Sequence, residues 1–158
     1  MQLHPGRLLY GGPLSPAMIR GMNRTATALL LLNAQRHYLE DQPDEPALSR
    51  AWRAQVQAAR EAGHLLVFVQ WDGHEGTSGE TFTRGWVIHP DLRAEAGDLR
   101  VRATSPDAFD GSGLDTLLRS LGVQVVELLA LPGSEEGEVT TRSAQALGYT
   151  VNLVLSQA

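Results

Sequence analysis

Three continuous apolar runs mark this chain: TATALLLL over 25–32, HLLVFVQ over 64–70 and QVVELLAL over 124–131. Short runs with no alternation predict strands buried on both faces. Between the first two, Leu48, Trp52, Val56 and Ala59 recur every three or four positions. This spacing predicts an amphipathic helix over 46–62, with Pro46 in its first turn and Gly63 at its end. Strand, helix and strand with a glycine stop is the pattern of a parallel βαβ unit. The remaining elements are a short strand over 99–101, a helix over 114–121 stopped by Gly122, a helix over 134–147 ended by Gly148, and a last strand over 149–155. Residues 71–98 are polar and rich in glycine, and they read as a long loop of the kind that covers a site. Pro5, Gly6, Gly11, Gly12, Pro13 and Pro16 break up residues 1–24. These residues read as an irregular arm, with one helical turn at 16–22, that covers a core edge or a partner subunit. The expected fold is therefore α/β, a three-layer sandwich: one domain over 25–158 around a mainly parallel, Rossmann-like sheet with helices on both faces. Ligands of such sheets sit beyond the C-terminal strand ends. That places interest at 33–35, 70–74, 101–105 and 131–136.

Composition narrows the chemistry. The chain has 158 residues, a net charge of −5 and no cysteine. A disulfide, a thiolate nucleophile and a Cys-ligated metal are all excluded. All 13 basic residues are arginine, so lysine chemistry is excluded as well. The acidic balance argues against a nucleic-acid partner. No apolar run reaches the roughly 18 residues of a membrane span. Residues 1–7 lack a basic start followed by an apolar stretch, so no secretory signal and a cytoplasmic location are expected.

Several segments, in order, resemble the isochorismatase-like family, which includes nicotinamidases and other cysteine hydrolases. ALLLLNAQ (28–35) resembles its first strand, which usually ends Asp-x-Gln. AAREAG followed by HLLVFVQ resembles its second βα unit, and RGWVIHPDL (84–92) the segment before its third strand. DAFDGSGLDTLLRSLGV (107–123) is the most specific match. VVELLALPGSEEGEVTTRSAQALGYTVNLV resembles the strand, turn and helix that carry the family nucleophile. The resemblance implies an aspartate, a lysine and usually a cysteine, with the cysteine at a helix N-terminus where the dipole favours the thiolate. Carried over, these positions are Asn33, Ala103 and Glu136, and all three depart from the pattern. One family branch cleaves a vinyl ether through the aspartate, and Asn33 departs from that too. The implied outcome is a family fold without family chemistry: a non-catalytic ligand-binding or assembly protein that needs no cofactor. The alternative is a divergent hydrolase of a small amide, ester or vinyl ether, working through Glu136 or a metal site at Asp72 and His74. A third possibility is a structural subunit whose side chains fill the old pocket.

Pocket candidates on this reading are Asn33, Gln35, Trp71, Asp72, His74, Ala103, Phe109, Leu131, Pro132 and Glu136. Glu135, Glu136 and Glu138 open a helix, where dipole complementarity with Ser134 as N-cap is the simpler role. Glu136 facing the pocket as a base is the functional alternative. Asp72-Gly73-His74 resembles a nicotinamidase metal motif one residue out of register, with His89 as a further imidazole. A metal-free loop is the favoured reading there. His37, Tyr38, Trp71 and Trp86 read as packing aromatics that could also line a cleft. Ser105, Ser112 and Thr140 are hydroxyls without an evident His and Asp pair. Gly111-Ser-Gly is a turn signal. Arg102 is expected on the strand face opposite Ala103. The Leu131–Pro132 bond matches a bond that is often cis in the family and is expected to be cis. Relatives usually continue into another helix beyond the last matched strand. An uncovered sheet face, and hence a homo-oligomer, most simply a dimer, is expected.

Overall fold

A computed structural model describes residues 26–154. The arm over 1–24, its helical turn, Thr25 and Leu155 lie outside the described residues. Five strands form one sheet: β1 (Ala26–Leu31), β2 (Leu65–Trp71), β3 (Leu99–Ala103), β4 (Val123–Leu129) and β5 (Thr150–Leu153). Their order is β3-β2-β1-β4-β5 and every pairing is parallel. The sheet is thus wholly rather than mainly parallel. Each return to the sheet uses a crossover, which parallel neighbours require.

Period-two alternation splits the strands between two cores. Ala28, Leu30, Val67, Val69, Val101 and Val126 face one side. There they meet Leu114 and Leu118 of α3 (Leu114–Ser120) and Ala144 of α4 (Glu135–Ala146). Leu29, Leu31, Leu66 and Phe68 face the other side, where α2 (Glu45–Glu61) lays down Leu48, Trp52, Val56 and Ala59. Trp52 is wholly buried. Removing water from each large apolar side chain contributes about 1.5–3 kcal/mol. Two helices end with the same pair of bonds. His64 N donates to Ala59 O and Gly63 N to Arg60 O at the end of α2. Tyr149 N donates to Ala144 O and Gly148 N to Gln145 O at the end of α4. This is the Schellman arrangement, which satisfies the last carbonyls and turns the chain into the next strand.

The expected cis bond needs correction, and two segments carry local structure that the sequence pattern does not show. The Leu131–Pro132 bond is trans, because none of the described peptide bonds is cis. Ser134 N donates to Leu131 O at 3.1 Å, and Gly133 has φ 73°. Residues 131–134 therefore form a tight turn with proline second and a left-handed glycine third, a combination that trans proline serves directly. Residues 72–98 form the long loop expected, but with local structure of their own. Trp71 belongs to β2, and single 3-10 turns occur at Arg84–Trp86 and Pro90–Leu92. Ile88 pairs with Gln35 in an antiparallel bridge. Finally, a four-residue helix, α1 (Arg36–Leu39), follows β1. It is too short for periodicity to reveal.

Arg60 ties the end of α2 to the 84–98 segment. Its guanidinium donates to both Asp98 oxygens at 2.7 Å and to Arg93 O at 3.1 Å. Burial disfavours the Asp98 carboxylate, but the Arg60 hydrogen bonds, the Glu95 amide and the charges of Arg60 and Arg100 outweigh it and hold Asp98 below the usual range. A depressed carboxylate stabilises the fold fully above its unfolded pKa and loses that contribution as pH falls through the folded one. Asp98→Asn is expected to cost about 1–3 kcal/mol at neutral pH in urea denaturation. The gap from wild type should close as the pH falls below 3.8. A gap independent of pH would assign the loss to something other than the carboxylate charge.

Candidate functional site

The strands' C-terminal edge collects the candidate residues. Asn33 lies just past β1, 1% exposed, with φ 62°. Left-handed backbone is costly for most residues, and asparagine is among those that tolerate it. The conformation turns the chain out of the sheet and sends the Asn33 side chain toward α4. There Asn33 Nδ2 donates to Glu136 Oε1 at 3.2 Å, across 103 positions of sequence. Oδ1 of the same amide is buried with no partner among the described residues. Glu136 sits in the first turn of α4, where Ser134 Oγ caps the helix by accepting from Gly137 N at 3.0 Å. Dipole complementarity and a position facing the site therefore coexist. Tyr38 of α1 lies within reach of the Glu136 charge. Burial, and then the Glu136 charge, push its phenol up to about 12.

Ala103 closes β3 on the same edge, two strands from β1, and is 1% exposed. Arg102 faces the opposite way into solvent and forms a two-pronged ion pair with Asp72 at 3.1 and 3.0 Å. Its guanidinium also lies 4.9 Å from the Phe82 ring and 5.7 Å from that of Trp86. Gln35 is structural. Its Nε2 donates to Trp71 O at 3.1 Å and its Oε1 accepts from Trp71 N at 2.7 Å, clamping β1 to β2. Trp71 is buried, and its indole donates to Ser105 O at 2.7 Å. Phe109 stacks on Tyr149, with ring centroids 5.9 Å apart. Leu131 and Pro132 line a separate, mainly apolar cleft of about 370 Å³ with Leu128, Ser134, Gly137 and Leu153. Asn33, Ala103 and Glu136 are not part of its lining.

The hydroxyl candidates are occupied. Thr140 Oγ1 accepts from Ala108 N at 3.0 Å, and Ser112 Oγ donates to Ala108 O at 2.5 Å. Ser105 Oγ accepts from Asp107 N at 3.4 Å. His37 Nδ1 lies 2.5 Å from Ser78 Oγ and its ring stacks edge-on against Tyr38.

The proposed metal trio is not assembled. Asp72 is engaged by Arg102, His74 is exposed, and His89 lies instead with Glu40 and Glu45. His89 Nδ1 accepts from Asp91 N at 3.2 Å, so its proton sits on Nε2 and is donated to Glu45 at 2.6 Å. With Nδ1 spent as an acceptor, Nε2 has no free lone pair for an ion. Glu40 is matched by Arg36 and Arg84. The residues at this second cluster therefore fit an internal hydrogen-bond network better than a cation site. Its link between α1, α2 and the 84–92 segment carried no local sequence signal.

The isochorismatase domain family matches residues 27–155. This chain belongs to the isochorismatase family. Two streptothricin hydrolase sequences from Streptomyces noursei are each 30% identical, over 133 and 129 residues. These alignments take in 82% and 80% of this chain but 53% and 47% of the relatives. The chain thus spans about half the length of the curated relatives it matches. Among solved structures, an isochorismatase family protein is 25% identical with a TM-score of 0.71, covering 80% of this chain and 76% of the other. N-carbamoylsarcosine amidase from Thermoplasma acidophilum shares the fold at 20% identity, with a TM-score of 0.73 and coverage of 82% and 81%. No helix among the described residues of this family member is long and apolar enough to cross a membrane.

The backbone demand at Asn33 is testable apart from its amide. Asn33→Ala and Asn33→Gly both remove the bond to Glu136, but only glycine suits φ 62°. Asn33→Ala is expected to be less stable than Asn33→Gly by about 1 kcal/mol in chemical denaturation. Equal stabilities would mean that residue 33 relaxes out of the left-handed region.

Proposed function

We propose that this isochorismatase-family chain binds a small molecule at the C-terminal edge of its sheet without performing the family's thiol-based hydrolysis. The observation that carries this reading is the Asn33–Glu136 hydrogen bond. The two positions that the family resemblance assigns to proton transfer and nucleophile meet here as an amide and a carboxylate. An amide does not take a proton at neutral pH. The chain holds no thiol and no ammonium side chain to restore either role. The three hydroxyls that could substitute are bonded to loop backbone.

A second reading has one observation in its favour, the 30% identity to streptothricin hydrolases. On that reading Glu136 acts as a general base, drawing a proton from water that attacks a small amide or ester. The metal-assisted form of this reading has less support, because Asp72 is held by Arg102.

Purified protein incubated with streptothricin and a panel of small amides and esters, followed by mass spectrometry, separates the two. The binding reading expects no product above the buffer control. Turnover abolished in both Glu136→Ala and Asn33→Ala would replace it with the hydrolase reading.

A further inference from the structure

A cavity of about 290 Å³ lies between the second half of α2 and the 92–95 segment. That is at the lower end of the size that holds a small molecule. Arg53, Val56, Gln57 and Arg60 line it with the i, i+3, i+4, i+7 spacing of one helix face, and Arg93 lines it from the other segment. α2 leads into β2 and Asp98 adjoins β3, so the cavity sits toward the N-terminal ends of the strands. Neither Asn33 nor Glu136 lines it. Its charges are unevenly matched. Arg60 is committed to Asp98 and Glu95 and also donates to Arg93 O. Arg36, Arg84, Arg102 and Arg119 each hold a carboxylate as well. The guanidinium groups of Arg53 and Arg93 have no carboxylate and no hydrogen bond among the described residues. Both have accessible surface, since Arg53 is half-buried and Arg93 exposed. Arg93 also has a left-handed backbone, with φ 56° and ψ 50°. Asparagine or glycine adopts that backbone more readily, so nothing in the turn itself calls for an arginine side chain.

We propose that this cavity is a second ligand site, independent of the strand edge at Asn33, and that it takes a phosphate monoester or free phosphate as the dianion. One guanidinium from α2 and one from the turn after Leu92 each present a planar fork of donors to phosphate oxygens. Gln57, exposed at the same cavity, offers an amide N–H to a further oxygen. Two cations without carboxylates match two negative charges. The acids beside them, Glu95 and Asp98, are already held by Arg60. A monoanion of the same shape leaves one arginine charge unbalanced. The Arg60–Asp98 pair fixes the end of α2 against the 93–98 segment and so keeps both arginines on one cavity.

The test is calorimetric titration of the full chain at low salt and about pH 8, where a phosphate ester carries two charges. The probes are phenyl phosphate, inorganic phosphate and benzenesulfonate, which has the shape of phenyl phosphate but a single charge. Phenyl phosphate is expected to bind at least about tenfold tighter than benzenesulfonate. Inorganic phosphate is expected to compete with it, and the tighter of the two tells an ester from a free ion. Arg53→Gln and Arg93→Gln should each weaken phenyl phosphate by about tenfold or more. Arg142→Gln removes the same charge from α4, on the opposite face of the sheet, and should leave the affinity within about twofold. Arg93→Asn should lose binding as Arg93→Gln does, while its thermal midpoint stays level or rises, because asparagine suits φ 56°. An arginine with a purely structural role would lose stability instead. Circular dichroism checks the fold of each variant. No measurable binding of phenyl phosphate, equal binding of the sulfonate, or equal losses in Arg142→Gln and Arg53→Gln would each overturn the proposal.

Discussion

Burial of β1 on both faces is the constraint from which the rest of the structure follows. Ala28, Leu30 and Leu32 point into one core and Leu29 and Leu31 into the other, all at 0 or 1% exposure. A strand sealed this way cannot lie at an edge or face water. It needs a paired neighbour on each side and a helical layer above and below. β2 and β4 supply the neighbours, α2 one layer, and α3 with α4 the other. Because all the pairings are parallel, every strand ends on the same edge, and the polar residues that follow the strands gather there.

That edge is held by a few polar contacts rather than by a continuous core. Gln35 clamps β1 to β2 through both backbone groups of Trp71. The left-handed turn at Asn33 lets the chain leave the sheet and form α1. The turn over 131–134 and the Ser134 cap start α4 at the height of Asn33. Asn33 and Glu136 come together because these two turns end at one place. Each of these turns uses a residue suited to its local backbone.

The chemistry at that edge differs in kind from a nucleophile assisted by a base and a cation. An amide, a methyl and a carboxylate occupy the three positions that the family resemblance makes aspartate, lysine and cysteine. The carboxylate retains the helix N-terminus, where negative charge is stabilised. It lacks the reactivity of a thiolate toward an acyl carbon. The scaffold that presents the group is shared with isochorismatase-family structures at TM-scores near 0.7. Sharing a fold leaves the activity open, because function resides in the side chains placed upon it.

By itself the sequence determined the layers. Apolar run length, the 48-52-56-59 stripe and the helix-ending glycines act within a few residues, so they predict β1, β2, β4, α2 and α4 to within one or two positions. The left-out element, α1, is a single turn too short to show a period. The strandless reading of 71–98 missed the Gln35–Ile88 bridge, because that pairing depends on two segments 53 positions apart. The cis bond expected at Leu131–Pro132 was displaced by Gly133, whose left-handed φ closes the turn with proline in trans. Of the site, the resemblance named Asn33 and Glu136, but only the tertiary structure decided that they touch and that the Asn33 side-chain oxygen is buried with no partner among the described residues. It also decided that His89 meets Glu45 rather than Asp72 and His74. Helix and strand patterns report local burial, whereas these contacts depend on strand order and crossover geometry, which no local stretch of residues encodes.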